Sequence, residues 1–302
     1  VSPIHAVVVG LGSIGQRHAR VLKELGHGVT TVSRRGDGDH TSIAGAIAAA
    51  RPEYAVIATE TSQHAESLRQ LAEADFRGTA LVEKPLFAQA APAPDYPFAS
   101  LVVGYNLRFH PVMTALAERL GGRSAITVSA YVGQDLRDWR PGRDHRTTAS
   151  ATREAGGGVL RDLSHELDYL LWLFGPWQRV AALGGSSGAR DVDVDDHFEL
   201  LLEMQRSQAV QVHMDYLDQP GIRKIRVNLP EQTIEADILG GRLTVNGKAH
   251  EYKSERDESY RSMHRAAIEG RAPICSFAEG LAVMDLIDAS ERALRSRMWV
   301  SA

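Results

Sequence analysis

The chain of 302 residues is 43% hydrophobic and 24% charged, with a formal net charge of −4. That length suits about two globular domains, and the charge gives no overall basic field of the kind that draws nucleic acid or an anionic membrane surface. With Cys275 as its single cysteine, the chain can form neither an internal disulfide nor a cysteine-built metal site, a usage that fits a reducing cytoplasm.

No apolar stretch approaches the roughly eighteen residues of a membrane span. The run over 6–9 is too short for a signal-peptide core and stops at a glycine turn. The chain opens at Val1 rather than at a methionine, as expected where a short segment has been trimmed. A valine-rich run over 4–9 reads as a strand buried on both faces of a parallel sheet. A helix over 13–25 follows, then a strand over 27–33, an alanine-rich helix over 43–50 and a strand over 54–58. A helix over 63–74 and strands over 79–82 and 101–104 complete an alternating pattern that implies a doubly wound parallel sheet. The run of alanines and prolines over 88–94 interrupts it, because proline cannot continue a regular helix.

The boundary falls near 103–110, dividing the chain into domains 1–105 and 106–302. Beyond it come a helix over 111–120, a strand over 125–132, a polar arginine-rich loop over 134–155 and a helix over 160–174. Strands over 178–184, 197–204, 208–217, 223–229, 232–238 and 242–246 follow, with Asn246-Gly247 as a strong hairpin signal. Helices over 258–269 and 277–295 close the chain. Grouped strands with flanking helices predict an α+β domain on a large, mainly antiparallel open sheet.

Gly10-x-Gly12-x-x-Gly15 stands between the first strand and the first helix, the context in which this spacing marks a dinucleotide site. Gly10 permits the tight turn, Gly12 lets the backbone approach a pyrophosphate, and Gly15 lets the helix pack on the strand. The first helical residues, Ser13 and Ile14, present free N–H groups to phosphate oxygens. The first domain is therefore expected to be a Rossmann domain. Where NAD-binding chains carry an acid for the ribose hydroxyls, this chain reads Ser33-Arg34-Arg35. A hydroxyl and two guanidiniums suit a 2′-phosphate, which favours NADP with NAD as the alternative; a solvated loop would also account for the arginines. Asp37 and Asp39 lie too far along to replace the missing acid. Val82-Glu83-Lys84-Pro85 ends a later strand, and ligands in such sheets bind beyond the carboxyl ends of the strands. Lys84 there can hydrogen-bond a reacting hydroxyl or carbonyl.

Several ordered motifs now come together: the glycine turn, Ala58-Thr59 with His64, Glu83-Lys84-Pro85, the run 104–111 containing Tyr105, Asn106 and Arg108, and the run 156–168 containing Asp162, His165 and Asp168. Together they resemble the glucose–fructose oxidoreductase/inositol dehydrogenase/MocA family of nicotinamide-dependent oxidoreductases over nearly the whole chain. The resemblance implies hydride transfer between NAD(P) and a hydroxyl-bearing carbon of a sugar or polyol. Lys84 would orient the reacting oxygen, His165 would exchange the proton and Asp162 would pair with substrate or lysine. Thr59, His64 and Glu83 would join the cofactor site, and Tyr105, Asn106 and Arg108 the substrate site. The second domain's open sheet would serve as substrate floor and as the face of a dimer or tetramer. One departure stands out: Asp162 and His165 are three apart where the family commonly has four, while His165 and Asp168 keep the usual three. This shorter form resembles a subgroup associated with surface-polysaccharide and nonulosonic-acid gene sets.

Read as residues alone, His165 suits proton transfer, and Asp168 one helical turn on could orient it. The loop over 134–156 carries Arg137, Arg140, Arg143, Arg146 and Arg153 around Trp139. Guanidiniums recognise phosphate or carboxylate, and an indole stacks on a base or sugar face. Trp139, Arg140 and Arg146 are thus candidate contacts for an anionic or nucleotide-activated sugar, although an exposed surface loop explains the same composition. No metal is expected: nearby ligands are too few, and the acidic run 191–196 lacks the glycine and glutamate of a calcium loop, reading instead as a solvated strand entry. Two alternatives stay open: a non-catalytic cofactor- and sugar-binding regulator, and a redox-assisted dehydratase, epimerase or glycosidase.

Overall fold

The computed structural model describes residues 2–89, 94–140 and 142–302. Most of the alanine–proline run lies outside the described residues. The chain begins with β1 (His5–Val9), α1 (Ser13–Glu24), β2 (Gly28–Val32), α2 (Ile43–Ala50), β3 (Tyr54–Ile57), α3 (His64–Glu73), β4 (Thr79–Val82) and β5 (Ser100–Val103). It continues with α4 (Pro111–Leu120), β6 (Thr127–Gly133), α5 (Val159–Asp162), α6 (His165–Phe174), β7 (Trp177–Gly185), β8 (His197–Met204), β9 (Ser207–Asp215), β10 (Ile222–Asn228), β11 (Thr233–Asp237), β12 (Arg242–Val245) and β13 (Lys248–Glu251). It closes with α7 (Glu258–Glu269), β14 (Cys275–Ser276), α8 (Phe277–Ser296) and β15 (Val300–Ser301).

The chain forms two compact units, Val1–Phe109 with Glu255–Leu281 and His110–Ser254 with Ala282–Ala302. The linear division at 105/106 did not include this return of the chain. In the first unit six strands lie in the order β14-β5-β4-β3-β1-β2. β1 to β5 are parallel, and the short β14 runs antiparallel to β5. The register aligns Val9 with Ile57, Ile57 with Val82 and Val82 with Val103, so the residues that follow each of these strands emerge at one level. Ala6–Val9 of β1 and the whole of β3 are buried and almost wholly apolar because both faces of a central parallel strand are covered. Ala6, Val8, Tyr54 and Val56 pack with Ala19 and Leu22 of α1 and with Met263 and Ala267 of α7. The returning helix is thus part of the first unit's core.

The second unit is a nine-stranded sheet in the order β13-β12-β11-β10-β6-β9-β8-β7-β15. Only β6 and β9 pair in parallel; the other neighbours are antiparallel. β8 alternates as a half-buried strand must, with Phe198, Leu200, Leu202 and Met204 inside. The opposite face bears Leu201, 54% exposed, and Leu183, 70% exposed. Among the described residues no helix is long and apolar enough to cross a membrane.

The expected helix over 160–174 is two helices. Gly158, at φ +118°, precedes α5, whose Leu160 N–H donates to Asp195 Oδ2 (3.0 Å). At the other end Tyr216 donates to Asp162 Oδ2 (2.6 Å). α5 is tied at both ends to partners distant in sequence, and the chain turns at Leu163 and Ser164 before α6.

Candidate active site

The glycine turn shows three separate constraints. Gly10 sits at φ +94°, and a Cβ there would lie 2.6 Å from the Ala58 carbonyl oxygen. A Cβ on Gly15 would lie 1.8 Å from the Gly10 carbonyl oxygen, so α1 packs against β1 only with glycine at that position. Gly12 faces open space, with nothing within 4 Å of its Cβ position. It is the N-cap of α1 and has extended backbone, no side-chain cap and no acidic residue in the following turn. The uncapped N–H groups at Ser13 and Ile14 and the positive end of the helix dipole therefore suit an anion. This cradle fits a dinucleotide pyrophosphate.

Beyond β2, Ser33 is buried, while Arg34 and Arg35 are exposed. Arg34 donates to Gln63 Oε1 (3.3 Å), and Arg35 donates to the Leu11 carbonyl (3.3 Å). Asp39 is committed to Thr31, accepting from its N–H (2.8 Å) and its hydroxyl (2.7 Å). Asp37 lies nearer the end of β2 than its place in the sequence suggests. The turn folds it back so that the Ser33 hydroxyl, and then Arg35, hold its carboxyl below the usual range, with Arg35 Nη2 at 3.5 Å. The end of β2 thus offers two guanidiniums and one acid.

At the same edge, Thr59 follows β3 and Glu83-Lys84 follow β4. His64 is buried, with Nδ1 3.1 Å from the carbonyls of both Pro85 and Leu86 and Nε2 3.2 Å from that of Thr59. Its ring ties the loop after β3 to the turn that carries Lys84, whose peptide bond to Pro85 is cis. The structure therefore gives His64 a supporting place behind that turn. Glu83 is also buried. Its Oε1 lies 2.9 Å from His18 Nε2, and its Oε2 accepts from the Lys84 N–H (3.3 Å). Gly104 leaves room for this carboxylate, since a Cβ there would lie 2.8 Å from Oε1.

Tyr105, Asn106 and Arg108 are buried in the first unit. Asn106 Nδ2 donates to Ser259 Oγ (2.8 Å), and Arg108 Nη1 donates to Glu279 Oε1 (2.8 Å). These contacts fasten the returning segment Glu255–Leu281. They give Asn106 and Arg108 an architectural task that the local motif does not announce.

In the second unit His165 and Asp168 are buried at the start of α6. Asp162 holds the hydroxyl of Tyr216, a residue the sequence reading missed because nothing local marks it. Burial, and then the charge of Asp162, push the Tyr216 hydroxyl well above its ordinary pKa, so it stays a donor. Trp139 meets Tyr216 edge-on at 5.3 Å. The loop arginines divide into two sets. Arg137 chelates the buried Asp135 (2.6 Å), Arg146 pairs with Asp144 (2.8 Å) and Asp191 (3.2 Å), and Arg153 donates to the Asp193 carbonyl (3.2 Å). Arg140 and Arg143 have no side-chain partner among the described residues, and with Trp139, His145 and Ser150 they line a small hollow. Its volume, about 10 Å³, suits a single oxygen atom rather than a sugar ring. The acidic run before β8 is solvated only in part, with Asp191 and Asp193 exposed and Asp196 buried. Asp191 and Asp193 anchor loop arginines, Asp195 caps α5, and the fully buried Asp196 accepts from Ser187 N–H (2.9 Å) and hydroxyl (2.7 Å).

The sequence profile of the GFO/IDH/MocA C-terminal domain matches residues 127–241. That match covers most of the sheet of the second unit, and a parallel sheet with a dinucleotide-type glycine turn precedes it in the chain. Similar solved structures include GenD2 from gentamicin A biosynthesis in complex with NAD, at 22% identity and TM-score 0.79 over 100% of this chain and 97% of that one. Levoglucosan dehydrogenase in complex with NADH is 18% identical, with TM-score 0.81 over 99% of each chain. The WlbA dehydrogenase from Bordetella pertussis, in complex with NADH and UDP-GlcNAcA, is 19% identical, with TM-score 0.79 over 99% of each chain. At these identities the likeness is one of fold. A comparison with curated protein sequences found no match.

Proposed function

We propose that the protein is a nicotinamide-dinucleotide-dependent oxidoreductase that moves a hydride to or from a hydroxyl-bearing carbon of an anionic or nucleotide-linked sugar. The observation that carries this reading is the register of the first sheet, which brings the open glycine cradle and the Glu83-Lys84 turn to one edge. A bound nicotinamide supplies the hydride acceptor or donor. Lys84 hydrogen-bonds the reacting oxygen, and His165 exchanges the proton, which an imidazole can do near neutral pH. Asp162 keeps its hold on Tyr216 and serves to shape this part of the site. The solved relatives crystallised with NAD or NADH, one of them also with a nucleotide sugar acid, support the cofactor and substrate classes. Arg140 and Arg143 support an anionic substrate group, being cations without carboxylate partners among the described residues.

Arg34 and Arg35 favour NADP through its 2′-phosphate. A second reading, NAD, is favoured by Asp37, whose carboxylate comes back to Ser33 where a ribose hydroxyl would need an acceptor. The protein acts as a homo-oligomer through the open face of the nine-stranded sheet, supported by the exposed Leu183 and Leu201.

Lys84→Ala tests the mechanism. Turnover should fall by two or more orders of magnitude, in line with loss of a positioned acid–base group, while reduced cofactor binds as in the wild type. Wild-type turnover in this variant would remove Lys84 from the chemistry.

A further inference from the structure

Behind Lys84 the first unit buries a chain of four polar side chains from four separate elements. Glu83 Oε1 lies 2.9 Å from His18 Nε2, His18 Nδ1 lies 2.9 Å from His264 Nε2, and His264 Nδ1 lies 2.9 Å from the Tyr54 hydroxyl. His18 and His264 are completely buried, and Tyr54 is 1% exposed. Four groups of this kind are expensive to place in a core unless every donor finds an acceptor. An apolar set of the same volume would fill the space between α1, α7 and β3 without that requirement.

The chemistry of the members sets the direction of donation. Burial, and then the neighbouring His18 and His27, push His264 well below its ordinary pKa, so its ring is neutral and has one donor and one acceptor. Burial, and then the charge of Glu83, push the Tyr54 hydroxyl well above its ordinary pKa, so Tyr54 keeps its proton. At the other end a carboxylate only accepts. One arrangement satisfies all four groups: Tyr54 donates to His264 Nδ1, His264 Nε2–H donates to His18 Nδ1, and His18 Nε2–H donates to Glu83 Oε1. All three donations run toward Glu83, whose second oxygen holds the Lys84 N–H (3.3 Å). Because the chain ends in a tyrosine that keeps its proton, it orients the carboxylate and does not carry protons away.

We infer that His18, His264 and Tyr54 are positioning residues that fix Glu83, and through it the Lys84 turn, at the reacting edge of the sheet. This rests on the reading of Lys84 given above. It assigns a task to α7, whose His264 lies 246 residues from His18 in sequence. His264 lies in the core with Met263 and Ala267, while Asp257 just before α7 holds Arg20 (2.6 Å) and Arg17 (3.4 Å) of α1.

The test has two arms on the full-length protein. Nitrogen-detected NMR of the imidazole rings reports their tautomers whether or not a substrate is known. Both rings should carry their hydrogen on Nε2 and none on Nδ1, and an Nδ1–H on either ring would overturn the inference. In the second arm His264→Leu leaves His18 Nδ1 without its donor. Loss of one hydrogen bond of this kind should lower kcat roughly tenfold to hundredfold with little change in the KM for cofactor. His264→Gln, which keeps a donor toward His18 and an acceptor toward Tyr54, should restore most of it. Tyr54→Phe removes a single hydroxyl without endangering the fold and should give a smaller loss in the same direction. Wild-type kcat in His264→Leu or Tyr54→Phe contradicts the positioning role, as does a loss that His264→Gln fails to reverse. A wild-type protein with no turnover would instead count against the oxidoreductase reading and leave the tautomer result to decide the chain.

Discussion

Gly12 and Gly15 belong to one motif, yet the structure separates what they do. Alanine at 12 enters open space at φ −67° and ψ −177°, a conformation any residue adopts. Its weaker N-cap propensity costs a fraction of a kcal/mol, and the reduced freedom of the unfolded chain returns about 0.4–1 kcal/mol. The melting temperature should therefore move by no more than about 2 °C. The added methyl projects where a pyrophosphate oxygen would approach the backbone. Loss of one charge-assisted hydrogen bond, about 1.5–3 kcal/mol, should weaken dinucleotide binding by roughly tenfold to a hundredfold or more. Alanine at 15 is the opposite case: its Cβ would lie 1.8 Å from the Gly10 carbonyl oxygen, and backbone on both sides must move. Overpacking of this kind costs about 3 kcal/mol or more and should lower the melting temperature by roughly 5–10 °C. Thermal melts and fluorescence titration with NADH and NADPH on the two variants measure both quantities. A Gly12→Ala protein that binds dinucleotide like the wild type would refute the assignment of the cradle.

Replacing Arg34 and Arg35 together by alanine should weaken NADPH binding more than NADH binding, whereas Asp37→Ala should weaken NADH selectively; equal effects on both cofactors would remove these residues from the choice. On the open sheet face, His213 stacks on Tyr131 at 4.2 Å and lies 2.6 Å from Asp215 and 2.5 Å from Glu199. The bond to Asp215, partly opposed by burial and helped by Glu199, raises its pKa to about 9. A folded-state pKa above the unfolded value near 6.5 means the stabilisation is complete below about pH 6.5 and is lost as the pH rises through about 9. Thermal melts across that window should show a decline that His213→Gln flattens, and an unchanged slope would contradict the pairing. Introducing glutamate at Leu183 and Leu201 should shift the protein to monomer by light scattering, and an unaltered oligomer would place its interface elsewhere.

The alternation of apolar strands and helices made the first sheet readable, because parallel central strands need continuous apolar runs and the glycine turn has a fixed place among them. β8 and β9 were readable from their period of two. β13 was not, because Lys248–Glu251 is a fully exposed edge with no apolar face to mark it. The return of α7 to the first unit was hidden because its partners, Arg17, Arg20, His18 and Asn106, lie far away in sequence. Arg108 and Arg140 look alike as letters: Glu279 claims the first, and the second has no carboxylate partner among the described residues. His64 and Tyr216 differ in the same way, since each is defined by atoms brought to it by the fold. Residue type and spacing pointed to the candidate edge, and the partners distinguish side chains held by the fold from those left to solvent.

The most direct measurement is a single-turnover assay in which the purified protein, with NAD or NADP in either oxidation state, is mixed with a panel of sugars and the nicotinamide absorbance is followed. The panel should span neutral sugars, sugar acids, nucleotide sugars and their keto forms. Hydride transfer with anionic or nucleotide-linked members, abolished by Lys84→Ala while cofactor still binds, is the predicted result. Cofactor and sugar binding without any change in nicotinamide oxidation state across the panel would contradict it and point to a binding protein.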